Sequence, residues 1–176
     1  EGFTKVQLEP VSVTFRRNWE RQAVAGTRTR VRAEDVQRIR AQLATLVEAT
    51  VRDELERGGY VLVDDAGEDV LTVQMAVVNL NINAPDLPTP GRVNVYTTSV
   101  GEMSLVASLS DSSSGELLVR VFDRRVGRTS MQPEFTTRAD NVMQARIAAR
   151  AWAQALRRAL DGARTMTPAQ AGATGG

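Results

Sequence analysis

Alternating apolar and polar positions dominate the middle of the chain, while spacing by three and four marks a segment on either side of it. Met103, Leu105, Ala107 and Leu109 fall on one face, with Glu102, Ser104, Ser108 and Ser110 on the other. Leu117, Val119 and Val121 then alternate with Leu118, Arg120 and Phe122. Successive side chains of a strand point to opposite sides, so this period of two predicts two strands. Between them, Asp111-Ser112-Ser113-Ser114-Gly115-Glu116 carries turn chemistry. Asp111 is suited to accept from nearby backbone N–H groups, and Gly115 tolerates positive φ. The expected unit is an antiparallel hairpin with Asp111, Gly115 and Glu116 as its structural turn.

Other elements follow from the same pattern. Val11, Val13 and Phe15 alternate with Ser12, Thr14 and Arg16, predicting a first strand entered through Pro10. Residues 20–32 have no apolar period and read as a long loop. Glu34 and Asp35 suit a helix N-terminus, and Val36, Ile39, Leu43, Leu46, Val47, Val51 and Leu55 make one stripe that ends at Gly58-Gly59. Tyr60 to Val63 is a short strand closed by an Asp64-Asp65-Ala66-Gly67 turn. In the run from Val70 to Ile82, the apolar phase flips between Val77 and Val78, which predicts either a β-bulge or a strand buried on both faces near its middle. Residues 84–98 carry Pro85, Pro88, Pro90 and Gly91 and read as an irregular crossing, and residues 124–137 as a polar connection. A second helix, capped near Asp140-Asn141, turns Ala145, Ala148, Ala149, Trp152, Leu156, Ala159 and Leu160 inward and Arg146, Arg150, Arg157 and Arg158 outward.

The resulting order is β-α-β-β-β-β-α. It predicts an α+β fold: an antiparallel sheet of about four to five strands with two α-helices on one face. Residues 1–164 are expected to form a single domain, and residues 165–176 a disordered C-terminal tail.

Composition narrows the chemistry. The 176 residues include no cysteine and no histidine, which excludes thiolate nucleophiles, Ser-His-Asp triads and Cys/His zinc sets. Lysine and arginine total 22 against 21 acids, so the net charge of +1 gives no phosphate-tracking face, and no nucleic-acid partner is expected. Lys5 is the only lysine, a preference attributable to a GC-rich genome. No run reaches the roughly 20 apolar residues of a membrane-spanning helix. The chain begins at Glu1 without a signal-like segment, as expected either of a protein trimmed of one or of a simple N-terminal truncation.

A few residue sets invite functional readings. Asn79, Asn81 and Asn83 alternate on one face and lead into Asp86, an arrangement suited to a polar partner-binding groove on a strand end. Trp19 follows the first strand in a polar setting and either stands exposed, joining them as a candidate contact, or covers the sheet edge, whereas Trp152 lies on a helix stripe and is expected in the core. Asp64, Asp65, Glu68 and Asp69 cluster, but their spacing matches no named metal loop. Asp111 and Glu116 offer too few oxygens for calcium. Gly58-Gly59 follows a helix rather than opening one, so it is no phosphate loop. No cofactor, metal or catalytic residue is assigned.

Several short patterns, in order, resemble one family. They are Leu8-Glu9-Pro10-Val11-Ser12-Val13, the glycine-ended helix before Tyr60, and Val70-Leu71-Thr72-Val73 running into Asn81-Ile82-Asn83-Ala84-Pro85-Asp86. Gly101-Glu102, Asp111 to Glu116, Asp123-Arg124, Ala151-Trp152-Ala153, Leu156-Arg157 and Leu160-Asp161 continue the series. Together they are similar to an uncharacterised family of Gram-negative bacterial lipoproteins, domain of unknown function 3313. The resemblance implies export, a lipid-modified cysteine upstream of Glu1 that anchors the protein to the outer membrane, and residence in the envelope facing the periplasm. It carries no catalytic residues. The function expected is a non-enzymatic module that binds an envelope protein or cell-wall partner. The alternatives are an accessory in lipid or lipopolysaccharide transport or outer-membrane assembly, and a carboxylate-dependent hydrolase using Asp64, Asp65 or Asp111.

Overall fold

The computed structural model describes residues 3–19, 32–81, 96–97, 102–126, 134–135 and 138–165. Along the chain these form β1 (Lys5–Leu8), β2 (Ser12–Phe15), α1 (Ala33–Arg57), β3 (Val61–Val63) and β4 (Val70–Asn81). There follow β5 (Tyr96–Thr97), β6 (Glu102–Asp111), β7 (Leu117–Val126), β8 (Glu134–Phe135) and α2 (Arg138–Thr165). Among the described residues, six strands make the main sheet in the order β3-β1-β4-β6-β7, with β2 also on β4. β5 and β8 pair separately. The expected loop at 20–32, apart from Arg32 at the N-cap of α1, and the tail beyond Thr165 lie outside the described residues.

The α+β class and the two helices stand as the sequence predicts, and β6 and β7 form the expected antiparallel hairpin. The sheet is mixed, however, rather than antiparallel throughout. β1 runs parallel to both β3 and β4, and β2 runs parallel to β4. Asp64 to Gly67 therefore does not close a hairpin, because β1 lies between β3 and β4. A period of two is the same for parallel and antiparallel pairing, so the pattern that located these strands carried no information on their direction. β1 and β2 act as one bent strand along the same side of β4. Pro10, which has no N–H to give to a ladder, sits at the break, and the Glu9 N–H donates to the Val73 carbonyl at 2.9 Å just before it.

The expected bulge is present one residue beyond the predicted flip, because Val78 still pairs in register with Ser104. Val73, Met75 and Val77 are buried, and so is Leu80, one position out of phase. Between them the pairing of β4 with β6 shifts register between Val78 and Asn81, and Asn79 has φ 55°. Asparagine is among the non-glycine residues that best tolerate this left-handed conformation. The extra residue returns the apolar side chains after it to the core face.

Both helices cover that face. Val47, Val51 and Leu55 of α1 and Ala149, Trp152, Leu156 and Leu160 of α2 join Leu71, Val73, Val77, Leu105, Ala107 and Leu109 in one core, and α1 packs along α2. Each large side chain so buried contributes about 1.5–3 kcal/mol. The N-terminus of α1 is closed by Asp35, which is buried and accepts from the Arg32 backbone N–H at 3.1 Å. At its other end, Gly59 takes φ 80° and serves as the left-handed terminus. Gly58 has a different role. A Cβ there would meet Arg157 Cδ at 2.7 Å, so the glycine leaves room for the Arg157 side chain of α2. Arg157, expected outward, spans the two helices instead. Its Nε donates to Glu54 at 2.8 Å and its Nη1 to Asp161 at 3.3 Å, and Asp161 also accepts from the Tyr60 hydroxyl at 2.9 Å.

Candidate functional site

The turn residues behave as their chemistry dictates. Asp111 Oδ1 accepts from the Ser113 N–H at 2.8 Å, the Ser113 hydroxyl at 2.7 Å and the Ser114 N–H at 2.9 Å. Gly115 has φ 72°, and the Asp111 N–H donates to the Glu116 carbonyl at 2.9 Å. The hydrogen bond from the Ser113 hydroxyl, followed by that from the Ser114 N–H, holds the Asp111 carboxyl below its ordinary value. Asp111 Oδ1 is thus committed to the turn.

Of the expected partner-binding set, Asn79, Asn81 and Trp19 lie among the described residues. Asn79 is exposed, but it is the bulge residue, so its conformation accounts for its presence in a strand. Asn81 is half-buried and lies opposite Glu102. Asn83 and Asp86 lie outside the described residues. Trp19 takes the covered setting rather than the exposed one a partner contact would need: it is only 6% exposed and stacks on Phe15 with ring centroids 4.3 Å apart. Arg40 of α1 lies over the far partner of that stack, 5.4 Å from the Phe15 centroid. The two rings and the guanidinium close one end of the helix–sheet layer. Asp64, Asp65, Glu68 and Asp69 are exposed, and among the described residues no group of acids is placed to hold a metal ion.

Geometry instead draws attention to the side of the sheet turned away from the helices. There Ala76, Val106 and Phe122 lie side by side across β4, β6 and β7, as the strand registers require. Phe122 is 66% exposed. On the same face of β7, Arg120 and Arg124 flank it at two residues on either side. Arg124 Nε donates to Glu102 at 2.7 Å, a diagonal contact across β6 and β7. That hydrogen bond holds the Glu102 carboxyl low and raises the already high guanidinium value. Ser104, directly opposite Arg124, is buried despite facing this side.

The sequence carried a signal for this surface, because an aromatic residue stood in phase with arginines instead of with the core valines. One assignment in the same strand is corrected. Leu117 was expected inward with Val119 and Val121, yet it is exposed, and Leu118 packs against the core in its place. The register of β7 on β6 shifts between Leu109 and Ser110, which exchanges the two leucines. Exposed apolar side chains also occur on α2, where Met143 and Ile147 sit one turn apart.

Comparisons with known proteins extend this picture. No curated protein matches the chain. Among solved structures, it is similar to a minor lipoprotein from Acinetobacter baumannii, at 14% identity over 91% of this chain and 94% of the other, with a TM-score of 0.40. It is also similar to the PelC dodecamer from Paraburkholderia phytofirmans, at 10% identity over 86% of each chain and a TM-score of 0.41. A protein from Xanthomonas campestris assigned to the family DUF330 is 14% identical over 91% of this chain and 86% of its own, with a TM-score of 0.42. The profile of one family covers residues 1–156, nearly the whole of the described fold. The chain belongs to that family, described as Protein of unknown function (DUF3313).

Proposed function

We propose that this protein is a non-enzymatic binding domain of a bacterial envelope lipoprotein, facing the periplasm and anchored to the outer membrane by lipid on a cysteine upstream of Glu1. The observation that carries the binding role is the apolar row Ala76–Val106–Phe122 on the helix-free side of the sheet, ending in an aromatic ring that is 66% exposed. An isolated exposed apolar residue is ordinary, but a row across three strands that ends between arginines suits a partner surface. The envelope assignment rests on the motif resemblance to lipoproteins together with membership of the family.

Of the carboxylates considered for hydrolysis, Asp64 and Asp65 stand exposed, while Asp111 and the other acids below are engaged in structural contacts. Asp111 is held by its own turn, Glu102 by Arg124, Asp123 by Trp152 and Arg125, and Glu54 and Asp161 by Arg157. A lipid-carrying groove between helices and sheet finds less support, because Trp152, Leu55, Leu71, Leu109 and Leu160 fill that layer. Metabolic labelling with radioactive palmitate, on protein expressed from its complete reading frame, tests the envelope assignment. Label in the protein and its recovery with outer membranes are expected. Unlabelled protein in the cytoplasmic fraction would overturn the reading.

A further inference from the structure

We propose that the outer edge of β7 accepts an extended acidic segment of a partner protein as an additional antiparallel strand. The inference deepens the binding role proposed above and rests on it. β7 is ten residues long and ends the main sheet, with β6 on one side and no strand on the other among the described residues. At the opposite end, β3 has three residues and offers little to pair with. In a strand bonded on one side only, alternate residues point their N–H and C=O groups away from the sheet. Such an edge is a template for another strand, and proteins that must avoid pairing shorten it, bulge it or place proline on it. β7, LLVRVFDRRV, has neither proline nor glycine, and its one register shift, between Leu117 and Val119, lies at the start of the strand and leaves Val119 to Val126 regularly paired.

Its charge selects the occupant. Three arginines stand against one aspartate in β7. Arg125 and Asp123 satisfy each other at 2.6 Å, and Arg124 is held by Glu102. Arg120 has no ion pair among the described residues and is exposed. A second copy of this chain would bring another three arginines to the same seam, which disfavours self-pairing. An incoming strand with an apolar residue opposite Phe122 and acids opposite Arg120 and Arg124 would match both face and charge. On the partner this reads as acid-x-apolar-x-acid. Main-chain hydrogen bonds then supply affinity and the alternate side chains supply selectivity.

The probe is a synthetic decapeptide with Glu, Val and Glu at alternate central positions, compared with one bearing Lys at both Glu positions. Calorimetric titration of the intact protein should show binding of the acidic peptide alone, weakened at least about tenfold by Arg120→Glu. That substitution lies on the surface, and an unchanged melting midpoint verifies folding. Amide hydrogen exchange should slow within residues 117–126 when the acidic peptide is added. Absence of binding, equal binding of the lysine peptide, wild-type affinity in Arg120→Glu, or protection elsewhere would each overturn the proposal. So would binding to phosphatidylglycerol vesicles that the acidic peptide does not displace, since β7 would then serve a lipid surface. None of these outcomes changes the palmitate result, so failure of this inference is distinguishable from failure of the envelope assignment.

Discussion

The indole Nε1 of Trp152 donates to Asp123 Oδ2 at 2.7 Å, joining the largest buried side chain of α2 to the edge strand of the sheet. The ring is 1% exposed, so its one polar atom has no access to bulk water and depends on that carboxylate. Asp123 alternates with Val119 and Val121 on the inner side of β7, and Arg125 holds its charge at 2.6 Å. Packing and a charge-assisted hydrogen bond thus fix α2 against β7 at one point.

Truncation of the ring separates the two contributions. Trp152→Ala should lower stability by about 3–5 kcal/mol through the cavity it leaves. Asp123→Ala should cost about 1–3 kcal/mol, because it strands a buried donor while leaving the packing in place. Denaturant midpoints measure both, and a neutral Trp152→Ala would show that the indole is not a core residue.

Gly115→Ala should destabilise by about 1 kcal/mol. No atom lies within 4 Å of a Cβ at this position, so the whole cost is that of the positive φ of 72°. Thermal melts of Gly115→Ala and Gly115→Asn check this, with asparagine predicted to be the milder change because it enters the left-handed region more readily.

Gly58→Ala should destabilise for the opposite reason. Its φ is −75°, so alanine fits the backbone, but the added Cβ lies 2.7 Å from Arg157 Cδ. In an Arg157→Ala background the collision disappears. A double-mutant cycle should therefore show strong coupling, with Gly58→Ala nearly neutral once Arg157 is shortened. Additive costs would mean that Arg157 does not occupy the space beside Gly58.

Asp111 gives stability a pH dependence of known sign. Its carboxyl is held below 3.8 in the folded protein, chiefly by the Ser113 hydroxyl, so folding favours the ionised form. The associated stability is complete above the unfolded value near 3.8 and disappears as pH falls through the lower folded value. Asp111→Asn, which mimics the protonated acid, should melt below wild type at neutral pH, and the gap should narrow at pH values beneath 3.8. A gap that widens with acid would contradict the assigned hydrogen bonds.

The parts of the fold that were legible in the sequence are those whose cause is local. The Asp111–Glu116 turn, the α1 stripe and the flip between Val77 and Leu80 each depend on near neighbours, and the structure reproduces all three. β1 went unread because its four residues offer too little alternation, and parallel pairing needs partners more than fifty positions away, such as Val61 for Lys5. The setting of Trp19 stays open in the sequence because its local pattern does not show the stack on Phe15, whose ring Arg40 of α1 in turn covers from across the intervening segment. Arg157 reads as outward on a helical wheel, and only the nearness of Glu54 turns it between the helices. The apolar row that ends in exposed Phe122 is likewise a product of register. Ala76, Val106 and Phe122 become neighbours only once three strands are aligned.

Site-specific photocrosslinking in living cells tests the binding role most directly. A benzophenone side chain placed at Phe122 should yield a discrete adduct, while the same group at Arg52, exposed on α1, should yield none. Adducts of equal yield from both positions, or none from position 122, would contradict a partner surface on the helix-free side of the sheet.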